Sequence, residues 1–295
     1  MSIDSEKTSL SPKIKYKLNN ALVFQSKDGY TFSKYLDEER KEVNSELDVK
    51  ELEKIKRYVK SGLEYNNLRF ENQAEIVLSF VSAGGNLLDV GCGGGAFLEK
   101  MERRGYEVAG LELERYRAEI CREKLQCEIY EQDVTEERFI KEKQNLYSAV
   151  TLWDVIEHVN YPEKTLKSIF FIIKPGGYIF IDTPAKDSFY HRFGEFTYRL
   201  SRGRFPTLLN IMYSDHPYGH KQIFSTKEMQ GILEQVGFNV VFVRKFHELS
   251  FPVEYYLEKL VRRKSFAKFS APFIKKVVNF FRIRNKMILV AYKKT

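Results

Sequence analysis

Asp89 and the glycines after it are the residues of this chain best spaced for chemistry. Leu87–Leu88–Asp89–Val90 reads as a buried strand ending in an acid, Gly91–Cys92–Gly93–Gly94–Gly95 as a tight turn, and Ala96–Phe97–Leu98 as the start of a helix. Glycines in a strand-to-helix turn let a ligand approach the backbone, and the helix N-terminus offers unpaired N–H groups. Such a turn suits an adenosine-type cofactor, and two cofactor classes compete for it. Gly91-x-Gly93-x-x-Ala96 fits the loose dinucleotide fingerprint, and Glu112 stands where a ribose-binding acid belongs. However, an ionised Asp89 at the strand end would repel a pyrophosphate lying over the turn. A cofactor carrying an ammonium and a sulfonium would be attracted by the same charge.

The elements that must position these residues follow in order. Tyr106–Glu112 reads as a second strand, Arg115–Lys124 as a helix and Glu128–Tyr130 as a short strand leading to Asp133. Ser148–Leu152 is the next strand, Thr165–Ile173 a helix stopped by Pro175–Gly176–Gly177, and Tyr178–Thr183 another strand. Thr226–Val236 is a helix closed by Gly237, before strands at Phe238–Phe246 and Met287–Tyr292. This alternation is that of a doubly wound α/β sheet. Two connections, 184–222 and 248–285, are long enough to be functional or locally helical. Residues 1–60 read as an N-terminal extension, polar at first and helical from about residue 48, and 61–295 as the main domain carrying those two insertions.

Composition narrows the class. The chain has 295 residues, 43% of them hydrophobic, enough for a substantial core. Cys92, Cys121 and Cys127 lack CxxC spacing, which argues against a zinc ribbon or disulfide framework and for a reducing compartment. No apolar leader or membrane-length run is visible, so the expected location is cytoplasmic. The net charge of +8 is concentrated in residues 253–295, where twelve Lys and Arg face two Glu.

Downstream motifs sharpen the picture. Ala149–Val150–Thr151–Leu152–Trp153–Asp154–Val155–Ile156–Glu157–His158–Val159 is followed by Tyr161–Pro162, Lys174–Pro175–Gly176–Gly177, Ile181–Asp182–Thr183–Pro184 and Ile223–Phe224–Ser225–Thr226. With Asp89-x-Gly91-x-Gly93-x-Gly95, this order resembles the class I S-adenosylmethionine (SAM)-dependent methyltransferases. Within them it is similar to the group containing ubiquinone-biosynthesis O-methyltransferases and methyltransferases of glycan and natural-product clusters. The resemblance spans roughly residues 63–237 plus the final strand, and implies a Rossmann-like seven-stranded sheet with helices on both faces and a final antiparallel pair. It implies that Asp89, Gly91 and Gly93 line the methionine part of SAM, that Glu112 accepts from both ribose hydroxyls, and that Asp133 meets the adenine amino group. Leu152 and Trp153 would flank the cofactor, and Arg69, on the helix before the first strand, could pair with its carboxylate.

Methyl transfer to a hydroxyl also needs a proton acceptor, and histidine suits neutral pH. His158, just past a strand's carboxyl end, and His220, in the long insert expected to roof the pocket, are the candidates; packing or helix capping is the plain alternative. Asp215, His216 and His220 within one loop, without a distant fourth ligand, are too few to assign a metal. The tail places Phe266, Phe269, Phe273, Val277 and Phe280 three or four apart among lysines and arginines, a basic amphipathic helix interrupted at Pro272. Its phenylalanine face would pack on the protein itself or, more specifically, bring residues 253–285 to the inner face of a membrane beside a lipid-linked acceptor, with nucleic-acid binding the remaining alternative.

The favoured function is methylation, at oxygen, of a small-molecule, glycan or lipid-linked acceptor. A nucleic-acid methyltransferase is the first alternative, suggested by a pI near 9.1. Against it, Trp153–Asp154–Val155–Ile156 lacks the Pro-Pro-aromatic element with which base methyltransferases stack a flipped base. A SAM-binding protein without catalysis is the second alternative.

Overall fold

The computed structural model describes residues 13–19, 21–33, 49–213, 220–249, 253–254, 257–258, 263–280 and 283–294. Its centre is a seven-stranded sheet built from β4 (Asn86–Val90), β5 (Glu107–Leu111), β6 (Glu128–Tyr130), β7 (Tyr147–Trp153), β8 (Ile173–Pro184), β10 (Phe238–Phe246) and β11 (Lys286–Lys293). The strand order is β10-β11-β8-β7-β4-β5-β6. The five strands from β8 to β6 are mutually parallel, whereas β11 runs antiparallel to both β8 and β10.

Residues alternate between the two faces, as the pleat requires. Leu88, Val150, Ile181 and Leu289 enter one core with α5 (Pro162–Ile172) and α8 (Thr226–Val236). Leu87, Ala149, Phe180 and Ile288 enter the other, against α1 (Val49–Leu78), α2 (Ala96–Glu102) and α3 (Arg115–Lys124). A short α4 (Glu137–Glu142) precedes β7. From β4 the chain winds outward to β5 and β6, then returns past β4 to β7. The crevice at the carboxyl ends of β4 and β7 is therefore the topological switch point, where open α/β sheets bind ligands.

The sequence reading of residues 1–60 as polar and then helical holds for α1, but Ile14–Ser33 forms three strands: β1 (Ile14–Lys17), β2 (Leu22–Gln25) and β3 (Thr31–Ser33). They make a small antiparallel sheet whose fourth member is β9 (Gln222–Ile223). Inside the long insert lie α6 (Phe189–Leu200) and α7 (Thr207–Met212). Tyr16 and Val23 share a core with Leu209, Tyr213 and Ile223, so the N-terminal strands and the insert pack together. Two further differences have local causes. Extended backbone begins at Ile173, before Pro175–Gly176, because Tyr147 pairs with Ile173 across a register shift. In the tail, α9 (Lys264–Phe280) continues through Pro272. Pro272 is exposed, so water can serve the carbonyl that loses its intrahelical partner.

Candidate functional site

Asp89 is the penultimate residue of β4, in register with Thr151 on β7 and Gly110 on β5. Its carboxyl is 3% exposed and accepts a hydrogen bond of 2.6 Å from Thr151 Oγ1. Burial pushes its pKa up to about 8, the nearby Glu112 and Asp182 carboxylates adding to the rise that Thr151 and Arg69 oppose. The turn after it is left-handed at Gly91, Gly93 and Gly95. A Cβ at Gly91 would lie 2.6 Å from Val155 Cγ2, so only glycine fits there, whereas one at Gly93 would meet nothing within 4 Å. The backbone at Gly93 thus faces open space over the turn.

Glu112 follows β5 and is buried. Gly93 N–H donates to its Oε2 at 2.8 Å and Glu114 N–H to its Oε1 at 2.9 Å, so this acid also holds the shape of the glycine turn. Burial raises its pKa against those two backbone donors. Asp133 lies past β6, where its Oδ1 accepts from Thr135 N–H at 2.9 Å. Leu152 is fully buried at the end of β7. Trp153 stands edge-on to Phe97 with ring centroids 5.4 Å apart, and its buried indole N–H has no hydrogen-bond partner among the described residues.

Arg69 lies on α1, in a buried ionic cluster. Its guanidinium meets Asp154 at 2.6 Å, Asp182 at 3.4 Å and Glu248 at 3.0 Å. Lys286, 4% exposed, reaches Asp154 at 2.5 Å and Asp182 and Glu248 at 3.3 Å. Burial alone would raise the Asp154 pKa, but Arg69 and Lys286 hold it well below the usual carboxylate range. Three carboxyl groups face two bases at this end of the crevice, with Asp89 and Glu112 nearby.

The two predicted imidazoles come together. His158 and His220 have ring centroids 5.2 Å apart, and Glu157, fully buried, places Oε1 3.9 Å from His158 Nε2. Backbone pairing explains the approach: Lys221 N–H and Gln222 N–H donate to the Glu157 carbonyl at 2.8 and 3.2 Å. His220 Nδ1 lies 3.0 Å from the Met212 carbonyl, which can only accept, so Nδ1 carries the proton and Nε2 the lone pair. Desolvation pulls the His220 pKa down to about 4, the neighbouring His158 adding to it. Burial, with the Asp154 charge, drives Glu157 well up. Asp215 and His216 lie outside the described residues.

Sequence reasoning named His158 and His220 separately and gave Glu157 no role. Its adjacency to His158 past a strand end was the available signal. Thr151, Lys286 and Glu248 gave none, since their roles depend on strand register and on the tail returning to the sheet.

An open glycine cradle and an excess of buried acids fit SAM, whose donor end is cationic. A family model described as a methyltransferase domain matches residues 65–243, more than half of the chain. The chain is 35% identical to the ubiquinone biosynthesis O-methyltransferase of Aeromonas salmonicida over 103 residues, covering 34% of this chain and 43% of that one. To the enzyme of the same name from Acinetobacter baumannii it is 36% identical over 105 residues, covering 34% and 44%. The matched region thus spans less than half the length of these curated relatives. Among solved structures, a SAM-dependent methyltransferase from Archaeoglobus fulgidus superposes with a TM-score of 0.53 at 18% identity, covering 80% of this chain and 99% of that one. A putative methyltransferase from Haloferax volcanii, solved in complex with the Trm112 methyltransferase activator, gives a TM-score of 0.57 at 15% identity, covering 85% and 100%. At those identities the structures speak for the fold. The glycine turn between β4 and α2, the acids at the ends of β4 and β5, and the matched domain place this chain in the class I SAM-dependent methyltransferase superfamily.

Proposed function

We propose that this protein methylates a hydroxyl of a small-molecule, glycan or lipid-linked acceptor. The observation that carries this reading is the placement of the Glu157–His158–His220 group directly after the strand that forms one wall of the cofactor crevice. SAM supplies an electrophilic methyl on a sulfonium when bound. Asp89, Gly91 and Gly93 hold the methionine part, Glu112 the ribose hydroxyls and Asp133 the adenine amino group. Leu152 and Trp153 form the wall, and Arg69, already paired with Asp154, Asp182 and Glu248, would have to exchange one of these carboxylates to meet the cofactor's own. Alignment of acceptor, methyl and sulfur provides much of the acceleration, and the Glu157–His158–His220 group promotes loss of the acceptor's proton.

The test uses SAM with a labelled methyl and a panel of phenols, catechols and sugars. Transfer by the wild type should fall about 10²–10⁴-fold in kcat for His158→Ala. Affinity for S-adenosylhomocysteine (SAH) should stay unchanged. SAH binding without transfer to any member of the panel, or transfer to RNA alone, would overturn the reading.

The acceptor's source is proposed from the surface. Phe266, Phe269, Phe273 and Phe280 on α9 are 51–85% exposed, while the small Ala267, Ala271 and Val278 pack inward. Phe266, Phe269 and Phe273 thus present an apolar stripe at the surface of the described residues. A second stripe, Phe189, Phe193, Phe196 and Leu200, is 46–74% exposed along α6. No described helix is long and apolar enough to cross a membrane. Basic helices with aromatic faces suit the surface of an anionic bilayer. Burying one such side chain is worth about 1.5–3 kcal/mol. Phe269→Glu with Phe273→Glu should therefore weaken sedimentation with phosphatidylglycerol vesicles more than tenfold. Equal sedimentation of variant and wild type would remove α9 from the contact.

A further inference from the structure

We propose that Glu157, His158 and His220 form a binding site for a divalent transition-metal ion, with Zn²⁺ the best match, beside the methyl-donor crevice. The inference deepens the function proposed above and rests on it, by naming how that group acidifies the acceptor.

Each residue offers one ligand atom, and the three atoms lie within 4.8 Å of one another. Bonds of about 2.0–2.2 Å to one ion bring such donors to roughly 4 Å or less, a closure that small side-chain rotations supply. Glu157 and His220 have the support that metal sites use. Thr183 Oγ1 donates to Glu157 Oε2 at 2.9 Å, turning Oε1 toward the imidazoles, and that buried Oε1 has no hydrogen-bond partner among the described residues. The Met212 carbonyl fixes the His220 tautomer and aims Nε2 inward. The Glu157 carbonyl, through its bonds from Lys221 and Gln222, fixes the backbone next to His220. Outer partners of this kind orient ligands and raise their basicity. A carboxylate oxygen buried without a donor is costly to leave unmatched, and a cation removes that cost.

Two imidazoles and one carboxylate select zinc, manganese, iron or cobalt over magnesium or calcium, which prefer oxygen ligands. Three protein ligands leave positions open, so the site takes an acceptor whose hydroxyl sits beside a second oxygen donor, as in a vicinal diol or a catechol. The hydroxyl loses its proton to water as its oxygen meets the ion. That oxygen's lone pair then forms the C–O bond while the C–S bond breaks, its electrons returning to sulfur. No oxidant or reductant is needed.

The test uses the full-length protein, stripped with EDTA and titrated with Co²⁺ as a spectroscopic probe, then with Zn²⁺ by calorimetry. Wild type should bind one equivalent of Co²⁺ with visible d–d absorption, and His220→Ala and Glu157→Gln should each weaken binding at least tenfold. Thr183→Val, which keeps all three ligands, should weaken it less. SAH affinity of each variant, measured alongside, reports whether it is folded and should match wild type. Wild type that binds SAH but no Co²⁺, or a His158→Ala/His220→Ala variant with an unaltered Co²⁺ spectrum, overturns the metal site and leaves the methyltransferase reading standing. Wild type that binds Co²⁺ but not SAH overturns that reading instead.

Discussion

A Lys286→Met variant should lose about 3–5 kcal/mol of stability, the usual cost of removing one partner from a buried ionic cluster. Lys286 Nζ lies 2.5 Å from Asp154 and 3.3 Å from Asp182 and Glu248, at 4% exposure, so methionine leaves Arg69 alone against three acids. Burial would lower the Lys286 pKa, yet Asp154 and Asp182 carry it up, which shows how firmly the charge is held. Thermal unfolding should fall by roughly 6–12 °C. The sign with pH follows from Asp154, whose folded pKa is depressed: its contribution is present above the unfolded value near 4 and is lost as pH falls through the folded one. The share of the gap between wild type and variant that Asp154 carries should therefore narrow below about pH 4. An unchanged melting temperature at pH 7 would show the cluster to be solvated rather than structural.

The second large effect is on cofactor affinity. Asp89 in the free protein has its pKa raised to about 8, so at neutral pH much of it is protonated. A cationic ligand favours the ionised form, and binding below pH 8 must expel a proton. SAM affinity should rise with pH from 6 to 8, by up to about tenfold per unit, and flatten above. Asp89→Asn should abolish the part of that slope due to the protein and weaken binding at pH 8 by about 10–100-fold, the loss of one or two charge-assisted contacts. Calorimetry on both proteins across that range separates this slope from titration of the ligand's own amino group. Identical profiles for the two would remove Asp89 from cofactor recognition.

Where periodicity and punctuation were local, the sequence was enough. Arg115–Lys124, Glu128–Tyr130, Thr226–Val236 and Phe238–Phe246 run as their patterns predict, with Ser225 and Glu228 forming a capping box and Gly237 left-handed at the helix end. The acids of the crevice were readable because each lies at or just past the carboxyl end of a strand. Strands β1, β2, β3 and β9 were not, since two to four residues carry too little alternation and their partners lie far away in sequence. The same reason hid the metal-binding arrangement. His220 was weighed against Asp215 and His216 of its own loop, yet the side chains it meets are Glu157 and His158, brought there by hydrogen bonds to the Glu157 carbonyl. Arg69 was legible as a cation near the crevice, but Glu248, from the far side of the sheet order, could not be foreseen as its partner.

The pairing of β3 with β9 has a mechanical consequence. Ser33 N–H donates to the Lys221 carbonyl at 2.7 Å, and Thr31 Oγ1 lies 2.5 Å from the Tyr213 hydroxyl. The insert is thus laced to the amino-terminal strands at one margin and to Glu157 at the other. Admitting a bulky acceptor by swinging this flap means either unzipping both seams or carrying the amino-terminal hairpin along as a single plate.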